Sequence, residues 1–149
     1  MNSTASTAAK RRDLGLAILR VVIGAVFVAH GAQKLFGFGI AGLTAAFGRM
    51  GVPLPTVVAP LNIAIELLGG VALIIGLLTR WAAVGLAIDM LGAMIIVHFK
   101  NGFFLPTGLE YVLVLCTACV TIALAGPGAF AADAMRASTG DTGAAGRAD

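Results

Sequence analysis

The stretch 56–99, TVVAPLNIAIELLGGVALIIGLLTRWAAVGLAIDMLGAMIIVHF, decides the fold. It holds two apolar runs, 56–78 and 81–99, each long enough to cross the hydrocarbon core of a bilayer. Only Thr79 and Arg80 separate them, so the chain must turn back at once and pack the two as an antiparallel hairpin. Helix is the only conformation open to each run, because a lone strand in lipid leaves its backbone N–H and C=O groups unsatisfied. Working outward, a run at 14–36 precedes the hairpin and one at 108–125 comes after it. The predicted fold is therefore all-α, a four-helix transmembrane bundle. Gly126-Pro127-Gly128 stops the last helix, since Pro cannot continue it and Gly accepts the conformation that ends it.

Hydrophobic residues make up 59% of the 149 and charged residues 11%, a balance that excludes an ordinary soluble domain and leaves room for one membrane domain. Lys10, Arg11 and Arg12 precede the first run, Arg80 sits in the hairpin turn, and Arg136 and Arg147 come after the last run. Lys34, Arg49 and Lys100 lie on the other side. The cytoplasmic preference of basic residues then places both termini in the cytoplasm, with a basic N-terminus at 1–13 and a disordered Gly/Ala/Ser/Asp tail at 134–149. Arg11-Arg12 ahead of an apolar run also has the look of a twin-arginine signal. Against that, Arg20 interrupts the run and no small-residue cleavage site precedes the next loop. The net charge of +3 is accounted for by topology and requires no nucleic-acid partner. The segment 37–55 contains a mildly amphipathic stretch, 41–50, which reads as an interfacial helix or, more simply, as a connector over the bundle mouth.

Arg20, Glu66 and Asp89 lie well inside these apolar runs, and a charge in hydrocarbon persists only when something compensates it. At 1.5 Å per residue, Glu66 and Asp89 both fall about 14 Å from the outer ends of their helices, His30 about 9 Å and Arg20 about 24 Å. The two acids share a level near the midplane. Arg20, Phe27, His30, Gly31 and Lys34 share one face of the first helix, and Ala59, Asn62, Glu66, Gly69, Gly70 and Leu73 share one face of the second. Gly85, Asp89, Gly92 and Ala93 repeat the pattern on the third, so small residues that admit a close neighbour frame each acid. Two readings stay open: Arg20 pairs with Glu66 or Asp89 and merely fixes helix register, or the surplus acid and His30 exchange protons.

A second polar group gathers at the outer mouth: Lys34, His98, Lys100 and Glu110. A cationic mouth attracts an anion or a quinone head group. The innocent alternatives are snorkelling of the lysines and a capping box in Thr107-Gly108-Leu109-Glu110. On an ideal helix His98 lies half a turn from Asp89, which keeps the two out of one site unless the helix is distorted. Two histidines with scattered carboxylates make no metal-ligand motif. Cys116 and Cys119 form a C-x-x-C pair, but one set inside an apolar span where thiolates are disfavoured, so packing is the simpler role.

Arg20 in a first span ending His30-Gly31-Ala32-Gln33-Lys34, Glu66 in a glycine-rich second span, His98 closing the third, Gly108-Leu109-Glu110-Tyr111 opening the fourth, and Gly126-Pro127-Gly128 with Asp133 together resemble the DoxX family. The resemblance covers 14–133 and implies a four-span bacterial inner-membrane protein. It further implies a subunit of a quinone-linked or thiol-linked membrane oxidoreductase system, with soluble redox enzymes or further copies of itself as partners. The cysteine pair lies outside the family's pattern. No flavin, haem or nicotinamide fingerprint occurs, so electron chemistry needs a bound quinone or a partner. On this reading Arg20, Lys34, Asp89, His98 and Glu110 hold a quinone or small anionic substrate while Glu66 and His30 exchange protons with it. A proton-coupled transporter using the same polar stripe and a non-catalytic scaffold for soluble redox enzymes are the competing classes. Four spans are few for alternating access without oligomerisation.

Overall fold

The computed structural model describes residues 2–135, with side chains from Ala5 onward, and is helical throughout its regular structure. Helix α1 (Asn2–Ala32) leads through a π-helical segment (Gln33–Phe38) into α2 (Gly39–Met50). Then come α3 (Pro55–Ile75) and α4 (Thr79–Ala93), a second π-helical segment (Met94–His98), a 3-10 turn (Phe99–Asn101) and α5 (Glu110–Ala125). Among the described residues, three helical runs are long and apolar enough to cross a membrane: residues 5–50, Pro55–Ile75 and Thr79–Asn101; α5 is a shorter apolar helix. Outward faces carry exposed Leu68, Ile88, Val114 and Leu124, side chains that water would not tolerate in such density. Exposed Phe36, Phe38, Phe99, Phe103 and Phe104 belong to the segments at one end, and exposed Trp81, whose amphipathic ring suits headgroup level, marks the other.

The hairpin is present but its turn is earlier than the sequence suggests. Gly76 takes a left-handed conformation that ends α3, so the turn is Gly76-Leu77-Leu78, and Thr79 and Arg80 already belong to α4. Asp133 reaches back to accept from the N–H groups of Leu78 and Thr79, both at 2.9 Å, while its own N–H donates to Gly76 O. A carboxylate at a helix start satisfies orphan donors and meets the positive end of the dipole. The segment after Gly126 is thus folded onto the end of the bundle where α3 turns into α4. The tail expected to be disordered lies, past Met135, outside the described residues.

Close packing of α1 on α3 follows from glycines. A Cβ on Gly24 would sit 2.6 Å from Gly70 O, and one on Gly70 would sit 2.7 Å from Gly24 O, so the two backbones touch. Gly69 likewise meets Leu86 of α4. The equivalent expectation for α4 is corrected: a Cβ on Gly85 or Gly92 would meet nothing within 4 Å. Of the two readings of the segment 37–55, interfacial helix or connector, helix is the one present over most of it. It is helix α2, entered through Gly39 at φ +68° and ended by Gly51 at φ +83°, and it buries Leu43 against Ala59 and Ile63 of α3. The main core lies deeper, with Phe27, Leu73, Leu86, Leu115, Cys119 and Ile122 at its centre.

Candidate functional site

Buried Asn62 and Glu66 of α3 meet half-buried Lys34 and Asp89 from the elements on either side. Lys34 Nζ donates to Glu66 Oε1 and to Asn62 Oδ1, both at 2.7 Å, and Asn62 Nδ2 donates to Asp89 Oδ1 at 2.7 Å. Asn62 therefore splices the two acids into one network. Glu66 is only 2% exposed, and two carboxylate oxygens, Glu66 Oε2 and Asp89 Oδ2, are buried with no partner. An ammonium has three donors and Lys34 has two engaged, so one remains. Placing this much polarity among helices is costly unless every group is satisfied, which marks the network as a place where a ligand's polar atoms fit.

A cavity of about 580 Å³ opens beside the network. Lys34, Asn62, Asp89 and His98 are its polar wall; the rest is apolar, including Phe38, Leu43, Phe47, Ile65 and Ile96. That is the usual make-up of a small-molecule site. Glu66 does not line it and stands behind Lys34. Both π-helical segments border the cavity, one carrying Lys34 and the other ending at His98. Wider π turns change the phase of the residues beyond them, which is how His98 comes to share a wall with Asp89 despite the half-turn separation of an ideal helix.

Other residues singled out in the sequence go elsewhere. Arg20, 3% exposed, pairs with neither acid: it donates from Nη1 to Pro127 O and, at 2.6 Å, from Nη2 to Phe130 O. Arg20 does not line the cavity and clasps the segment after α5, with Asp133 in electrostatic range. Lys34 turns inward to Glu66 instead of snorkelling outward. Glu110 accepts from Leu105 N–H at 2.8 Å, so it ties down the preceding loop instead of closing a capping box on Thr107. His98 Nδ1 donates to Thr107 O at 2.8 Å, and His30 Nδ1 to Val26 O at 2.9 Å. The His30 ring packs on Tyr111, centroids 5.9 Å apart, and both lie in electrostatic range of Glu66 on the side away from the cavity wall. Cys119 is fully buried in the core, and Cys116 Sγ donates to Ala87 O at 3.6 Å. Asn62, placed on the Glu66 face from the sequence, was given no site role there; an amide one helical turn before Glu66 on a buried face was its signal.

The DoxX family model matches residues 15–99. This chain belongs to the DoxX family. It is 37% identical over 117 residues to the Bacillus subtilis protein named "Putative oxidoreductase CatD", covering 78% of this chain and 83% of that one. It is 30% identical over 130 residues to "Inner membrane protein YqjF" of Escherichia coli, covering 85% and 95%. A Mycobacterium tuberculosis relative, "Uncharacterized membrane protein Rv3486", is 38% identical over 82 residues, 55% of this chain and 50% of its own length. No solved structure gives a significant match. The chain is a multi-pass inner-membrane protein.

Proposed function

We propose that this DoxX protein is the quinone-interacting membrane subunit of an oxidoreductase system, with its site in the cavity beside Lys34, Asn62 and Asp89. The observation that carries this is an apolar cavity whose one polar wall offers a spare ammonium N–H and a carboxyl oxygen without a partner. A head group with ring oxygens complements both. The oxidoreductase name of the Bacillus subtilis relative supports the same class. When bound, the quinone would accept two electrons from a soluble redox partner together with two protons. Lys34, held by Glu66 and Asn62, donates its third hydrogen bond to a ring oxygen and stabilises charge developing there. Asp89, oriented by Asn62 through Oδ1, exchanges a proton through Oδ2. Glu66 positions Lys34, and His30 with Tyr111 stands between Glu66 and the outer side.

In the same proposal α5 makes the fourth crossing and both termini are cytoplasmic. Its 16 residues span about 24 Å, somewhat short of the hydrocarbon thickness, a gap that local thinning accommodates. The test is mass spectrometry of small molecules carried by the purified protein in native-lipid discs. Wild type is expected to enrich quinone over the membrane background, and Lys34→Met and Asp89→Asn to lose it. Equal enrichment in all three would remove the site, and none in wild type would leave the scaffold class in possession.

A further inference from the structure

The cavity has an open side. Helix α2 packs on α3 and on the π segment before it, and α4 packs on α3 and α5, but α2 and α4 are not among the principal packing pairs. They leave a crevice floored by α3. Phe38 and Ile88 line the cavity and are also 60% and 65% exposed, on a flank where Leu91 and Ile95 are exposed as well. Toward the outer end the crevice is crossed: Met50, Val52 and His98 line it, and Lys100 Nζ reaches Met50 O at 3.5 Å. The opening therefore faces lipid.

We propose that the crevice between α2 and α4 is a lateral portal that seats the alkyl or isoprenoid tail of a quinone-type amphiphile drawn from the bilayer, with its head on Lys34 and Asp89. This rests on the quinone reading and commits it to a tailed, membrane-dissolved ligand. The polar wall is confined to Lys34, Asn62, Asp89 and His98, and all the remaining lining is apolar, surface that a hydrophilic solute would leave uncovered. Two carboxyl groups against one ammonium offer a small anion no net attraction, so the anionic substrate considered from sequence is the poorer fit.

Two glycines of α4 supply a matched test. A Cβ added at Gly85 or at Gly92 would meet nothing within 4 Å, yet of the two only Gly92 lines the cavity. With open space beyond both Cβ positions, leucine is expected to be accommodated at either, but at Gly92 it would project toward the crevice. The probe is a benzoquinone bearing an alkyl tail with a terminal diazirine, added to the full chain in lipid discs and mapped by peptide mass spectrometry after illumination. Adducts are expected on Phe47, Ile88 and Ile96. Gly92→Leu should lower them about tenfold, the effect of displacing two buried methylenes, while Gly85→Leu leaves them unchanged. Equal melting of the two variants shows that folding is not the cause. Adducts confined to Val114 and Leu124, wild-type labelling of Gly92→Leu, or equal crevice labelling by a diazirine phospholipid of the same chain length would overturn the portal. Crevice labelling that survives both Lys34→Met and Asp89→Asn would uphold the portal and overturn the head-group reading.

Discussion

Lys34 holds the polar network together, and its removal exposes what it compensates. Lys34→Met leaves Glu66 buried without a counter-charge and Asn62 without a donor, a loss of about 3 kcal/mol. Adding Glu66→Gln should restore much of that stability in a detergent unfolding titration while quinone retention stays lost. Asp89→Asn is nearly isosteric, and its amide oxygen can still accept from Asn62, so stability should fall by less than about 1 kcal/mol even as turnover disappears. A variant with normal turnover would remove Asp89 from the chemistry. The two acids and the lysine were legible in the sequence because charge inside an apolar run is conspicuous. The partners of Arg20 were not, since they are backbone carbonyls created by the turn after Gly126, and no residue type advertises a carbonyl. Nor was the shared wall of Asp89 and His98, because a π turn has no compositional mark.

Among the elements, the α1–α3 pair depends on backbone contact. Gly70→Ala would drive a methyl to within 2.7 Å of Gly24 O, and the helices must separate, at about 2 kcal/mol, whereas Gly85→Ala should cost nothing measurable. Equal melting of the two would refute the packing account. Asp133→Ala removes the carboxylate that accepts from two backbone N–H groups at the start of α4 and should lower stability by about 1 to 2 kcal/mol, with Asp133→Asn recovering part of it. Glycines mark places where something comes close only if something is there: the pattern around Glu66 was read correctly, and the same pattern around Asp89 turned out to border open space. Helix α2 was legible only as one of two alternatives, because its amphipathicity is modest and its glycines also suit a connector, and Leu43 packing on Ala59 and Ile63 of α3 is a contact the sequence does not display.

At the scale of the whole molecule, α1 runs about 46 Å, longer than the hydrocarbon core is thick, so its basic first turns with Lys10, Arg11 and Arg12 stand clear of the helices they precede. Reporter fusions at both ends should report the cytoplasm, and an external reading at either end would break the orientation. The Arg20 clasp also sets an order on manufacture. The arginine leaves the ribosome in the first helix, but the carbonyls that satisfy it are made 107 and 110 residues later. Until then the nascent chain carries an uncompensated cation in or near lipid, a state that membrane proteases and chaperones can recognise. Chains halted after Ala125 should accordingly be degraded during synthesis, and Arg20→Leu should rescue the halted chain while harming the full-length one. If both outcomes are found, the short segment just past the final helix would be a completion signal, the part of the chain that must be translated before the first helix is electrostatically at rest.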